Sequence, residues 1–189
     1  MTMKKIIVLF IGLFVFACNA KQSFDREKYL KEGKEIAQTT AKTLSGHVKK
    51  AIKEKGPIEA INFCKLSAYP LTDSLSELYK VKISRVAIKN RNPENKATAK
   101  DLEIFKKYEE LIAKGEKVKP EIKSDNDKIV FYAPIRLQQA CLICHGTPQS
   151  EIPDTLFKHI QTLYPDDLAV NFKEGDLRGI WKLEFESKE

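Results

Sequence analysis

The sequence predicts an α+β fold, in which helices pack outside an antiparallel sheet of four or five strands. Two kinds of periodicity support this class. Apolar or small residues recur every three or four positions from Leu30 to Ala51, as in one long amphipathic helix. Apolar residues instead share one face of an extended chain from Ile129 to Ile135 and from Trp181 to Phe185. A chain of 189 residues without internal repeats indicates one globular domain.

Four segments have helical character. The long first helix ends at Gly56, and Pro57 is suited to the first turn of a second helix, "PIEAINFCKLSAYP". The connection between these two helices is so short that they should fold back on each other. Helical spacing returns from Ala97 to Ala113 and again from Asp154 to Leu163.

The remaining segments have the character of strands. "VKISRVAIKN" is rich in β-branched residues, and Pro93 lies in the turn "RNPEN" that follows it. "KVKPEIKSDNDKIVFYAPIRL" is typical of a hairpin that turns between Ser124 and Asp127. The chain closes with "GDLRGIWKLEFES", which has the alternation of a strand.

The N-terminus predicts export and a lipid anchor. Lys4 and Lys5 precede an apolar run, residues 6–17, that is too short to span a bilayer and suits a signal peptide. "VFAC" resembles a bacterial lipobox, in which Cys18 becomes the first residue and carries lipid on its thiol. An ordinary signal peptide with Cys near its cleavage site is the alternative. The expected organisation is a signal peptide at 1–17, a tether at 18–29 and a domain at 30–187, on the periplasmic side of a bacterial membrane.

The charge pattern argues against a nucleic-acid partner. The net charge of +7 falls to +5 once Lys4 and Lys5 are removed, and the lysines are scattered beside glutamates as on solvated helix faces. No basic stripe with interleaved aromatic residues is present in the sequence.

The pattern C-x-x-C-H, formed by Cys141, Cys144 and His145, predicts covalent attachment of one haem c. The histidine follows the first cysteine by about one helical turn, so its imidazole reaches the iron from the side to which the thiols attach. Half of a zinc site is one alternative, but no second C-x-x-C or H-x-x-x-H is present. A redox-active cysteine pair is another, but it would not require the histidine.

The ligand on the other face of the iron is open at this point. Met1 and Met3 are the only methionines, and both precede the predicted cleavage site, which excludes a His/Met cytochrome if cleavage occurs. The remaining candidates are His47, His159, Cys64, a lysine amine, or no ligand. Both histidines lie among polar neighbours and are expected to be exposed. Cys64 is an unassigned thiol in an exported protein, but it could equally be a small buried residue beside Ile61.

Four segments in order resemble one known family: "AINFCKLSAYPL", "ISRVAIKNRNPEN", the C-x-x-C-H after a strand, and "GDLRGIW". They resemble a family of exported monohaem c-type proteins with a PAS-like fold, a domain that also occurs as the sensory part of bacterial receptors. The resemblance covers roughly Leu30 to Phe185. It implies an antiparallel PAS-like sheet of about five strands, flanked by long N-terminal helices.

The same resemblance implies roles for individual residues. Cys141 and Cys144 match the haem-linking cysteines, His145 matches the proximal ligand, and Cys64 matches an axial thiolate on the other face of the iron.

The resemblance also implies a polar and basic wall near the haem. Arg85, Arg91 and Asn92 match this wall, where a positive group can pair with a haem propionate or with the thiolate. Val86 stands where a small polar residue is expected, so the sequence departs from the family pattern there.

These features predict a lipid-anchored haem protein that is not an enzyme. A thiolate ligand stabilises ferric iron and bonds weakly to ferrous iron, which favours sensing of redox state or a small gas. The signal would pass to a separate redox or signalling protein, since the sequence shows no effector segment.

A periplasmic electron-transfer cytochrome is the alternative. A peroxidase would need an open iron site and a distal acid–base group, which nothing in the sequence indicates.

Overall fold

The computed structural model describes residues 24–125 and 127–186. The predicted signal peptide and the predicted lipidation site Cys18 lie outside these residues. Among the residues described, no helix is both long enough and apolar enough to cross a membrane.

The helices are α1 (Arg26–Lys55), α2 (Pro57–Leu66), α3 (Ala68–Tyr79), α4 (Ala99–Ala113), α5 (Leu142–His145) and α6 (Asp154–Leu163). The strands are β1 (Lys82–Val86), β2 (Glu121–Asp125), β3 (Lys128–Arg136) and β4 (Leu177–Glu186), and 3-10 turns lie at Pro93–Asn95 and Gln139–Cys141.

The strands form one antiparallel sheet in the order β1-β4-β3-β2. This confirms the predicted α+β class and the antiparallel sheet with helices outside it. The sheet has four strands in the described part of the chain, where the family resemblance implied about five. β1 and β2 are its edge strands, and β4, the last strand in the chain, lies in the centre beside β3.

The long helix α1 covers one face of the sheet. Its side chains Ile36, Ala37 and Leu44 are buried against Phe131 and other apolar residues of the central strands. Gly33 lies in the closest approach, because a Cβ atom there would come within 3.0 Å of the Phe131 ring. α1 therefore needs glycine at this position in order to pack on the sheet.

Helix α4 covers the other face of the sheet. Its buried side chains Ile104, Phe105 and Tyr108 pack against Val130 and other residues of β3 and β4. The Tyr108 hydroxyl donates to the Tyr132 backbone carbonyl at 3.2 Å. The sheet is therefore buried on both faces.

The predicted second helix is two helices in the structure. α2 ends at Leu66 and α3 begins at Ala68, with Ser67 between them. Pro70 explains the break, because it has no N–H to donate to the carbonyl of Leu66 and its ring would collide with that carbonyl in a continuous helix. α2 is left free to take its own direction.

That direction brings α2 against α6. Ile61 of α2 is buried in an apolar cluster with Leu156 and Ile160 of α6 and with Tyr164, which follows α6. Cys144 packs at the edge of the same cluster. The cluster therefore holds α2 beside the short helix α5, which carries the second half of the C-x-x-C-H motif.

Candidate haem-binding site

The C-x-x-C-H motif occupies a tight helical turn after β3. Cys141 ends a 3-10 turn, and α5 carries Cys144 and His145. Leu142 is buried against Leu137, Ala169 and Phe172, which fixes the motif to the end of the sheet. The two cysteines and the histidine are partly exposed, and neither thiol forms a disulfide in the described chain. Local sequence and one buried leucine therefore present all three groups on one short turn.

The His145 imidazole is held in one tautomer. Its Nδ1 atom lies 2.9 Å from the carbonyl oxygen of Ala169, and its ring meets Phe172 edge-on at 6.4 Å. A carbonyl only accepts, so Nδ1 carries the proton and Nε2 keeps its lone pair. Burial, with Arg178 and Arg91 nearby, lowers the pKa of His145 well below its usual value. A neutral imidazole with a free Nε2 is the form that binds a metal.

Arg91 is buried and ties the motif to the loop after α6. Its Nη2 atom donates to the carbonyl of Cys144 at 2.6 Å and also contacts the carbonyl of Ala169 at 3.3 Å. Its guanidinium pairs with Asp167, at 3.1 Å from Nε and 3.0 Å from Nη2. Asp167 in turn accepts from the backbone N–H of Ala169 at 2.8 Å. Arg91 therefore positions the motif and the Ala169 carbonyl that orients His145.

Cys64 is on the last turn of α2, the helix that the Ile61 cluster holds beside α5. Burial raises the pKa of the Cys64 thiol, and the nearby charges of Arg85 and Arg91 oppose this rise. Burial also raises the pKa of Cys144 to about 11, with a contribution from Cys64. Cys144 packs against the apolar cluster that contains Ile61, about one helical turn before Cys64 on α2. The fold thus brings α2 and α5 to one site although they are distant in the sequence.

Positive side chains gather around this site. Arg85 lies over the Trp181 ring at 5.9 Å, Lys89 lies over the Phe172 ring at 4.4 Å, and Arg178 lies over the same Phe172 ring at 5.6 Å. Burial, with repulsion from Arg91, lowers the pKa of Arg178 to about 10.

Few carboxylates among the described residues balance the positive charges of Arg85, Lys89, Arg91 and Arg178. Arg178 donates from Nη1 to the Lys89 carbonyl at 3.0 Å, but its buried Nε has no hydrogen-bond partner among them. Asp167 is the carboxylate in contact with Arg91. Sequence reasoning missed Lys89 and Arg178, although both lie inside segments quoted for the family resemblance. An anionic group would be electrostatically favoured beside these residues.

Asn92 has a local role in the structure. Its Oδ1 accepts from the backbone N–H of Glu94 at 3.1 Å and caps the 3-10 turn that Pro93 begins. Its carbonyl accepts from the side chain of Asn90 at 3.2 Å. The side chain of Asn92 thus shapes the turn that follows Arg91.

The two other histidines have partners of their own. His47 is exposed and stacks on Phe63 at 5.4 Å between ring centroids. His159 is half-buried, and its Nε2 lies 2.8 Å from Oδ1 of Asn62. Within the described residues, no three His, Cys, Asp or Glu side chains cluster as they would around a metal ion.

The residues present fit a haem c. Two thiols stand at the spacing for thioether bonds, and an oriented neutral imidazole and a separate thiol are available for the iron. The basic side chains around Arg178 and its unpartnered Nε suit the two propionates of the group. Each of these features is a property of the protein chain itself.

Comparisons with known proteins identify relatives of this chain. The family model described as "Tll0287-like: Tll0287" matches residues 21–185. The crystal structure of the cyanobacterial heme-protein Tll0287 is similar in fold, with a TM-score of 0.64 and 20% sequence identity. The similarity covers 87% of this chain and 99% of that chain. No curated protein matches the sequence.

Proposed function

Since the chain belongs to the Tll0287-like family, we propose that it binds one haem c, attached through the thiols of Cys141 and Cys144. His145 would hold the iron through its imidazole, and Cys64 would supply the second protein ligand as a thiolate. The observation that carries this proposal is the packing of α2, which bears Cys64, against the C-x-x-C-H turn, because Ile61 and Cys144 belong to one apolar cluster. The solved relative is itself a heme-protein, which supports the proposal.

The surroundings of each ligand favour its role. The Ala169 carbonyl orients the imidazole so that Nε2 is the atom available to the iron. The positive charges of Arg85 and Arg91 oppose the rise in the pKa of Cys64 that burial causes, so they favour the thiolate form that binds iron. Lys89 and Arg178 are the side chains that we assign to the propionates.

The proposed role is sensing of redox state or of a small gas. Bound haem would supply an iron centre whose thiolate bond weakens on reduction, which provides two states with different ligand preferences. We further propose that lipid on Cys18 holds the protein at the periplasmic side of a bacterial membrane, where it signals to a separate protein. We propose no catalytic activity. The His159 imidazole is hydrogen-bonded to Asn62, and His47 stacks on Phe63.

Ferric absorption and electron paramagnetic resonance spectra of the haem-loaded protein test the iron ligands. The ferric iron of the wild-type protein should be low-spin, with a spectrum typical of a thiolate ligand. The Cys64→Ala variant should lose that spectrum while its haem stays covalently attached. His47→Ala and His159→Ala serve as matched controls and should keep the wild-type spectrum. If the Cys64→Ala spectrum is unchanged, Cys64 is not an iron ligand. If the spectrum of either histidine variant changes, that histidine is the ligand instead.

A potentiometric titration separates sensing from the second candidate, periplasmic electron transfer. His/Cys ligation predicts a strongly negative potential, with loss of the thiolate signature on reduction. A potential in the range of quinones, with the same ligands in both oxidation states, would favour electron transfer instead.

A further inference from the structure

A second concave site lies between α3 and the edge strand β1. It is a cleft of about 520 Å³, a volume typical of small-molecule sites. Its lining includes none of Cys64, Cys144 and His145. The proposed function leaves this cleft unassigned.

The floor of the cleft is an incomplete sheet edge. β1 pairs with β4 on one side, and its other edge is occupied only at its two ends. The Ile83 N–H donates to Oγ of Ser76 at 3.1 Å, and the Ala87 N–H donates to the Asn95 carbonyl at 2.8 Å. Between them, the N–H and C=O of Arg85 point to the same edge, because these groups alternate along a strand. No hydrogen-bond partner outside the sheet reaches them from residues 24–125 and 127–186.

An unpartnered edge of this kind accepts one extended peptide unit. A peptide group lying beside Arg85 can accept from its N–H and donate to its C=O, as in strand addition. Ser76 closes one end of the free edge and Asn95 closes the other. The gap is therefore short, which excludes a long strand.

The walls of the cleft carry both signs of charge. The basic residues are Lys80, Lys82 and Arg85, and the acidic residues are Asp73, Glu77 and Glu94. Tyr69 also lines the cleft, and its hydroxyl donates to Oδ1 of Asn95 at 2.6 Å. Mixed charge of this kind complements a ligand that carries an ammonium and a carboxylate.

We propose that this cleft binds a short peptide with free termini, of about dipeptide size, whose peptide group pairs with the backbone of Arg85. Acidic side chains of the lining take the ammonium group, and Lys80 and Lys82 take the carboxylate. The cleft shares Arg85 with the proposed haem site. The peptide would use the backbone of Arg85, whereas the haem proposal uses its side-chain charge.

The test is calorimetric titration of the full-length, haem-loaded protein with the dipeptide Ala-Ala. One saturable site is expected, and hydrogen-exchange mass spectrometry should show slower exchange of the Arg85 amide in the complex. N-acetyl-Ala-Ala-amide has the same peptide group without charged termini. It should bind roughly tenfold more weakly, because it lacks both charged ends.

A charge variant tests the walls of the cleft. Asp73→Asn combined with Lys82→Gln should weaken Ala-Ala binding to the level of the capped peptide, while Lys106→Gln combined with Glu109→Gln on α4 should bind as wild type does. Absence of binding to wild type would overturn the proposal, as would binding without protection of Arg85. Equal binding of the capped peptide would overturn the assigned ligand chemistry. The haem absorption of the same sample reports independently on the proposed function.

Discussion

At the scale of single residues, Arg91 is the point at which the contacts of the site converge. It reaches the Cys144 carbonyl, the Ala169 carbonyl and the Asp167 carboxylate at once. The side chains of Arg91 and Asp167 are only 9% and 4% exposed. A buried ion pair of this kind specifies geometry, and the loss of one partner leaves an uncompensated charge.

Asp167→Asn should therefore destabilise the fold by about 3–5 kcal/mol. The neutral amide would leave the buried Arg91 without its counter-charge and would loosen the loop that carries Ala169. Urea denaturation measured by circular dichroism checks this prediction. Asp166→Asn changes the exposed neighbour and should have little effect, so a similar loss in both variants would show that the buried pair is not the cause.

At the scale of elements, α1 illustrates how one glycine sets the position of a helix. α1 is 30 residues long, which corresponds to about 45 Å. Gly33 is the position at which this helix comes closest to the sheet. Gly46 lies in the same helix in open space, because a Cβ atom added there would have no neighbouring atom within 4 Å.

Gly33→Ala should destabilise the protein by about 1–3 kcal/mol, because the added methyl group collides with Phe131. Gly46→Ala should instead stabilise it by about 0.4–1 kcal/mol, because the change lowers the entropy of the unfolded chain. Thermal unfolding of the two variants checks the prediction. Equal shifts in both melting temperatures would mean that α1 does not pack on Phe131 as described.

Helix α4 carries a titratable cap. Asp101 accepts from the N–H and hydroxyl of Thr98, at 2.9 and 2.7 Å, and pairs with Lys182 at 3.0 Å. Burial raises the pKa of Asp101, but these contacts outweigh it, so the pKa lies below its usual value. Since the folded-state pKa is lower than the unfolded-state pKa, the contribution of Asp101 to stability is complete above about pH 4. It is lost as the pH falls through the folded-state value.

The stability difference between wild type and Asp101→Asn should consequently be largest near neutral pH and should shrink below about pH 4. Urea midpoints measured from pH 7 downwards check this. Glu103→Gln removes an exposed carboxylate of the same helix and should give a small difference throughout. If the stability difference between wild type and Asp101→Asn stays constant down to the lowest pH, Asp101 does not titrate as assigned.

At the scale of the whole molecule, the layers of the fold follow from patterns that local sequence contains. α6 begins and ends at the predicted residues, and the hairpin and the closing strand also lie where alternation indicated. The break at Ser67 was not predicted, because apolar spacing continues through it and only Pro70 signals it. β1 ends at Val86, before the predicted strand does, because Ala87 pairs with the turn near Asn95.

The candidate site, too, could be predicted only where it depends on local contacts. The C-x-x-C-H turn was predictable because its residues are close in the sequence. The approach of Cys64 depends on packing between α2 and α6, which no local pattern contains, and only the family resemblance suggested it. Lys89, Asp167 and Arg178 resemble ordinary surface charges in the sequence, so their burial was unpredictable.

The attachment of the whole molecule to a membrane gives a further prediction. If Cys18 carries lipid, the wild-type protein should sediment with membranes after cell lysis, and Cys18→Ala should appear in the soluble fraction. Cys64→Ala keeps the lipobox and should sediment as wild type does. Immunoblotting of the two fractions checks the result, and sedimentation of Cys18→Ala would exclude lipid on that thiol as the anchor.

The Ala169 carbonyl, which accepts from both His145 and Arg91, has a consequence for the electronic balance of the proposed iron centre. A histidine whose Nδ1–H faces a carboxylate gains imidazolate character and donates strongly to a metal. Here the acceptor is a neutral oxygen that also faces a guanidinium, so the imidazole stays a modest donor. If Cys64 supplies a thiolate, His145 would be the weaker electron donor of the two residues that hold the iron.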